Sequence, residues 1–163
     1  MFPEDLTTQA TALLALCRRF GLKVATAESC TGGLVAGCLT AIAGSSDVVD
    51  RGFVTYTNEA KTGMLGVPVA LLADHGAVSE AVARAMSAGA LAHSLADLAV
   101  AVTGIAGPGG ATPTKPVGLV HFAAARRGGA VLHERHVLPG DRTQVRLASV
   151  GIALGLLERL AQP

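Results

Sequence analysis

The sequence predicts an α/β domain of three layers, α/β/α, around a mixed β-sheet. Three observations lead there. Strand-like and helix-like apolar patterns alternate through roughly the first hundred residues, as βα units require. Leu98 to Thr103 is a near-continuous apolar run, the mark of a strand buried on both faces. Two further strand-like segments then flank Arg127-Gly-Gly129, which reads as an antiparallel hairpin.

Each element has its own warrant. Leu6, Ala10, Leu13, Leu14 and Cys17 fall on one helical face, and Gly21 is placed to stop that helix. Leu22 to Ala27 reads as the first strand. Leu34, Val35, Cys38, Leu39 and Ile42 give a second helix after a glycine pair, and Gly44 to Asp47 reads as a turn. Gly52 to Thr57 is the second predicted strand, with Val54 and Tyr56 on one face. Asn58 is the predicted cap of a short helix through Lys61 to Leu65, ended by Gly66-Val-Pro68. His75-Gly76 reads as a helix-ending turn, and Ser79-Glu80 starts a helix running to about Ser94. Gly104 to Pro116 is too rich in Gly and Pro for a regular element. Val117 to Ala125 and Ala130 to Leu138 form the hairpin. Asp141 caps a last helix with Val145, Ala148, Ile152 and Leu156 on one face.

Composition narrows the class. The 163 residues suggest one domain, 1–163, and a hydrophobic fraction of 50% is ample for a core. Aromatics are only 3%, so Ala, Val, Leu and Ile must pack the interior. The net charge of +1 and the absence of a basic run longer than an Arg pair argue against nucleic acid as a partner. The start, Met1 to Asp5, lacks the pattern of a signal peptide, and the apolar stretches are too interrupted for a membrane span. Cys17, Cys30 and Cys38 are an odd set without metal-site spacing. A cytoplasmic protein without disulfides, metal or cofactor is expected.

The stretch Thr26-Ala-Glu-Ser-Cys-Thr-Gly-Gly33 carries most of the functional information. A turn between a strand and a helix lifts side chains to the strand's carboxyl edge, where a helix N-terminus favours negative charge. Ser29 reads either as an ordinary turn former or as a nucleophile, with the N–H groups of Thr31 and Gly32 as oxyanion donors. Cys30 is a rival nucleophile, or a small buried hydrophobe. None of the five histidines sits in a triad-like context. The chain has only three lysines, Lys23, Lys61 and Lys115. Lys61 follows a strand end and reads either as a solvated helix residue or as a base, since a desolvated Lys can lose its proton. Tyr56 is either core with its hydroxyl at the rim or a partner of a Lys–Ser pair. Thr103 shares the strand-end position. The Gly104–Gly110 loop, which includes Gly107, reads as a phosphate cradle or as plain turns. Arg142 has the fork geometry for a phosphate or carboxylate, or is a surface residue beside a cap.

Taken in order, several motifs together resemble the CinA C-terminal domain family, whose characterised members include stand-alone nicotinamide mononucleotide deamidases. The resemblance rests on Ala27-Glu-Ser-Cys-Thr-Gly-Gly33, Gly44-Ser-Ser46, Gly52-Phe-Val-Thr-Tyr-Thr-Asn-Glu-Ala-Lys61, Leu65-Gly-Val67, His75-Gly-Ala-Val-Ser79, Thr103-Gly-Ile-Ala-Gly-Pro108, Lys115-Pro-Val-Gly118 and Gly140-Asp-Arg142. It implies a Ser/Lys amidohydrolase, with Ser29 as nucleophile, Lys61 as general base, and Tyr56, Ser46 and Thr103 as supporting site residues. It implies Arg142 as a ligand of the nucleotide phosphate. It also implies a small-molecule substrate, nicotinamide mononucleotide, and a homo-oligomer, at least a dimer. Larger family members carry an N-terminal domain associated with pyrophosphatase activity. This chain opens with the first helix of the deamidase domain, so that second activity is not expected. The family's link to competence and DNA repair supplies the alternative, a non-catalytic nucleotide-binding or protein-interaction module.

Overall fold

The computed structural model describes all 163 residues. A helix, α1 (Glu4–Phe20), precedes β1 (Val24–Glu28), α2 (Leu34–Thr40) and β2 (Val49–Val54). Three helices follow, α3 (Asn58–Leu65), α4 (Val69–His75) and α5 (Glu80–Ala92). The chain ends with β3 (Leu98–Gly104), the hairpin β4 (Leu119–Arg126) and β5 (Val131–Val137), and α6 (Arg142–Ala161). The strands form one sheet in the order β2-β1-β3-β4-β5. The first three are mutually parallel and the last two antiparallel, so the mixed three-layer sheet is confirmed.

Side-chain size sorts the two faces. Val24, Leu98, Val100, Val102, Val120 and Phe122 face α1, α2 and α6 and build the larger core. The residues between them are small: Ala25, Ala27, Ala99, Ala101 and Ala125 face α5. A face of alanines lets a helix approach the sheet closely, and α5 answers with Ala83, Gly89 and Ala90. Gly89 also permits α3 to close in, because a Cβ there would overlap the carbonyl oxygen of Leu65. That contact fixes the helix that carries Lys61. No helix is long and apolar enough to cross a membrane.

Several boundaries differ from the sequence reading. β1 starts at Val24 rather than Leu22, and β2 starts at Val49 and ends at Val54, before Tyr56. Asp50, Arg51 and Gly52 look like strand breakers, but β2 is an edge strand whose polar side chains have partners outside the sheet. The Asp50 carboxylate accepts from Leu95 N at 3.1 Å, and Arg51 Nη1 donates to His93 O at 3.0 Å. Thr57, not Asn58, caps α3, its hydroxyl accepting from Ala60 N at 3.1 Å. Along α6 the buried stripe runs through Val145, Ser149, Ala153 and Leu156, while Ala148 is exposed. Ser149 disguises that stripe; its hydroxyl is satisfied by Val145 O at 2.8 Å and can be buried.

On the α5 side, His121 Nδ1 lies 3.0 Å from His133 Nε2, with the two rings stacked. Burial, and then the neighbouring His133, lower the His121 pKa to about 4. The unfolded chain therefore binds a proton between about pH 6.5 and about pH 4 that the folded chain refuses, and stability falls as pH drops through that window. Urea denaturation should show a loss on the order of 2 kcal/mol across it, and His121→Leu should remove most of the slope. Gly89→Ala, which must push α3 away from α5, should lower stability by about 1–3 kcal/mol in the same measurement.

Candidate active site

The parallel strands β2, β1 and β3 all direct their carboxyl ends to one edge of the sheet. The connection β1–α2–β2 crosses one face, and β2–α3–α4–α5–β3 crosses the other. A cleft opens where such connections diverge. Glu28 pairs with Val54 on one side and Val102 on the other. The ladder continues one residue further, with Thr55 N donating to Glu28 O at 2.8 Å and Ser29 N to Val102 O at 2.9 Å. Thr55, Ser29 and Thr103 thus form a row across three strands, each about 4.8 Å from the next. Strand alternation sends Thr26 and Glu28 toward α2 and turns Ser29 toward α3 and α5.

Lys61, in α3, meets Ser29 there. Its Nζ lies 3.0 Å from Ser29 Oγ and donates to Thr55 O at 2.9 Å. The two residues are thirty-two positions apart in the chain. Lys61 is 1% exposed. Burial pushes its pKa below the ordinary lysine range, opposed by the nearby Cys30, and no carboxylate forms a salt bridge with it. In the uncharged amine, the N–H given to Thr55 O fixes the lone pair, which can then accept the Ser29 O–H. Cys30 lacks this arrangement. It is 6% exposed, and burial raises its thiol to about 11, so it stays protonated at neutral pH.

The turn after Ser29 is built by Glu28, whose role the sequence reading missed. Its buried carboxylate accepts from Gly33 N at 3.0 Å, Val35 N at 3.0 Å and Ala36 N at 2.9 Å, and from the Thr26 hydroxyl at 3.2 Å. A side chain from the preceding strand therefore caps α2, whose own N-cap, Gly33, has none to offer. A lone acid in an otherwise uncharged strand was the available signal. Gly32 N donates to Ser29 O at 3.0 Å, so its N–H is already used and the expectation of an oxyanion donor there is corrected. The Thr31 N–H has no acceptor within the protein. The only buried side-chain polar atoms without a partner are the hydroxyls of Thr31 and Thr55, which flank Ser29 in the turn and in the row. Unpaired buried hydroxyls mark where a ligand or water completes the site.

Arg142 organises the rim. It donates to Gly107 O at 2.9 Å and to the Tyr56 hydroxyl at 2.7 Å. A cleft of about 400 Å³ lies here, bordered by Gly107, Pro108, Asp141 and Arg142. Tyr56 is 56% exposed and bonded to Arg142, so it belongs to the rim rather than to the Lys–Ser pair. The Thr103 hydroxyl donates to Ala77 O at 2.9 Å and ties the row to the segment before α5. Ser46 is not brought in. It is exposed in the short turn Ser45–Asp47 before β2, and parallel pairing puts that turn at the opposite edge of the sheet from Ser29. A larger groove of about 600 Å³ between α3 and α4 contains none of these residues.

A family model described as the CinA C-terminal domain matches residues 6–161. The chain is 54% identical to a CinA-like protein of Mycolicibacterium gilvum, over 98% of this chain and 37% of that protein. It is 51% identical to a CinA-like protein of Citrifermentans bemidjiense, over 98% of this chain and 38% of that protein. The chain therefore spans little more than a third of the curated relatives it matches. Among solved structures, the competence/damage inducible protein CihA from Agrobacterium tumefaciens superposes with a TM-score of 0.97 at 55% identity, covering 99% of both chains. A CinA superfamily protein from Escherichia coli gives a TM-score of 0.90 at 33% identity, over 99% of this chain and 93% of that one.

A buried amine taxes the fold. Because folding lowers the Lys61 pKa, stability declines as pH falls from the ordinary lysine range toward the lowered value. Lys61→Met, which fills the same volume without the amine, should raise the midpoint of thermal unfolding at pH 7.

Proposed function

We propose that this chain, which belongs to the CinA C-terminal domain family, is a serine–lysine amidohydrolase that converts nicotinamide mononucleotide to nicotinate mononucleotide and ammonia. The observation that carries the reading is the contact of 3.0 Å between Lys61 Nζ and Ser29 Oγ, with the amine fully buried. A binding module has no use for an ionisable group held so far from water. A base does, because desolvation disfavours the ammonium form and so raises the share of amine whose lone pair is free.

The chemistry follows from the geometry. Ser29 Oγ attacks the carboxamide carbon while its proton passes to Lys61 Nζ, and the carbonyl electron pair moves onto oxygen. The Thr31 N–H receives that oxyanion. The carbon–nitrogen bond then breaks, Lys61 returns the proton to the departing amide nitrogen, and ammonia leaves an acyl-enzyme. Water attacks the acyl carbon as Lys61 takes its proton. The carbon–Oγ bond breaks, the proton returns to Ser29, and the carboxylic product ionises. Arg142, bordering the cleft and bonded to the Tyr56 hydroxyl, offers a guanidinium that suits the nucleotide phosphate. The reading includes a homodimer in a reducing cytoplasm. The three free cysteines, all buried, accord with that compartment.

Purified protein should release ammonia from nicotinamide mononucleotide. Ser29→Ala and Lys61→Arg should both lose activity by about 10³-fold or more, since Arg keeps the charge but cannot accept a proton. Protection of the fold by the nucleotide without any ammonia would instead indicate a binding module. The wild-type kcat/KM should rise with pH along a limb lying below the ordinary lysine pKa of about 10.4, because only the uncharged amine is active.

A further inference from the structure

Arg146, in α6, has no place in the reading above, yet it is bound to the nucleophile turn. Its Nε donates to Cys30 O at 3.1 Å and its Nη2 to Thr31 O at 3.1 Å. A Cβ on Gly32 would lie 3.1 Å from Nη2, so the guanidinium rests directly against this backbone. Arg146 forms no salt bridge, so its charge is not shared with a carboxylate.

The consequence is directional. A peptide is planar and trans, so its C=O and N–H point opposite ways. By holding the Cys30 carbonyl, Arg146 sets the Thr31 N–H of the same peptide to point away from α6. That N–H has no acceptor within the protein. A cation on the carbonyl also polarises the peptide and strengthens its N–H as a donor. The first-turn donors of α2 cannot substitute, because Gly33, Val35 and Ala36 give their N–H groups to Glu28, Leu34 gives its own to Thr31 O and Gly32 gives its own to Ser29 O; in the turn only the N–H groups of Cys30 and Thr31 are free, and Thr31 is the one whose peptide Arg146 holds.

We propose that Arg146 is a positioning residue for acyl transfer: its guanidinium orients and polarises the Cys30–Thr31 peptide so that the Thr31 N–H meets the oxyanion formed when Ser29 attacks. The inference rests on the amidohydrolase reading for its reaction, but its core is a claim about Ser29 reactivity and can be tested apart from the substrate. One guanidinium spans two carbonyls at a fixed separation. A lysine reaches one.

Two measurements on the full chain test it, with Arg146→Ala and Arg146→Lys compared with wild type. The first is kcat and KM for ammonia release. The second is the rate at which diisopropyl fluorophosphate phosphorylates Ser29, its P–F bond breaking as fluoride leaves, followed by intact mass with Ser29→Ala as blank; there too an oxygen gains negative charge during attack. Arg146→Ala should lower kcat and the phosphorylation rate together by about ten-fold or more, with KM within about three-fold of wild type. Arg146→Lys should fall between, and guanidinium chloride at about tens of millimolar should restore part of the loss in Arg146→Ala. A raised KM with kcat and phosphorylation unchanged would make Arg146 a substrate ligand and overturn the proposal. So would variants that match wild type in both assays. If wild type releases no ammonia but its phosphorylation still depends on Arg146, the substrate assignment fails and this inference stands. Should Arg146→Ala not fold, Arg146→Lys carries the same comparison.

Discussion

An amine held away from water beside a hydroxyl is the constraint around which this structure is arranged. Water strongly favours the ammonium form, so a lysine goes into a protein interior only where other interactions hold it there. Here three do. The register of β1 with β2 delivers Thr55 O as an acceptor level with Ser29. The Thr57 cap starts α3 so that its fourth residue faces inward. The close approach of α3 to α5, which the missing Cβ of Gly89 permits, fixes the helix on which Lys61 is buried.

The sheet's alternation divides the remaining work between its two faces. On the α2 side, Thr26 and Glu28 hold the start of a helix that has no side-chain cap of its own. On the α3 side, Ser29 meets the Lys61 amine. One strand thus anchors its following turn through one residue and presents the Ser29 hydroxyl through the next. Filling the α2 N-terminus with a carboxylate has a price: the positive end of that helix no longer faces the cleft. The turn before it is held instead through its carbonyls, which Arg146 grips from α6.

Much of this was legible in the residues. The alternation of strand and helix patterns, the capping Ser79 and Asp141, and the hairpin around Arg127-Gly-Gly129 are local signals, and they appear in the structure where they were read. The errors lie where tertiary partners override local preference. Asp50 and Arg51 sit in an edge strand because their side chains bond outside the sheet, and Ser149 is buried because its hydroxyl turns back on its own helix. Ser46 was grouped with Ser29 by motif, but the direction of β2 carries it to the other edge.

By itself the sequence determined the order of strands and helices, the apolar face of the first helix, and that a serine in a glycine-rich turn and a scarce lysine deserve to be considered together. Those properties depend on neighbours a few positions away. Only the tertiary structure decided that Ser29 and Lys61 touch, that Glu28 closes α2, that the Thr31 amide is left free, and that Arg146 reaches the turn from well over a hundred residues away. Strand order and the depth of helix packing set those contacts, and both arise from the whole chain folding at once, which no local stretch of residues encodes.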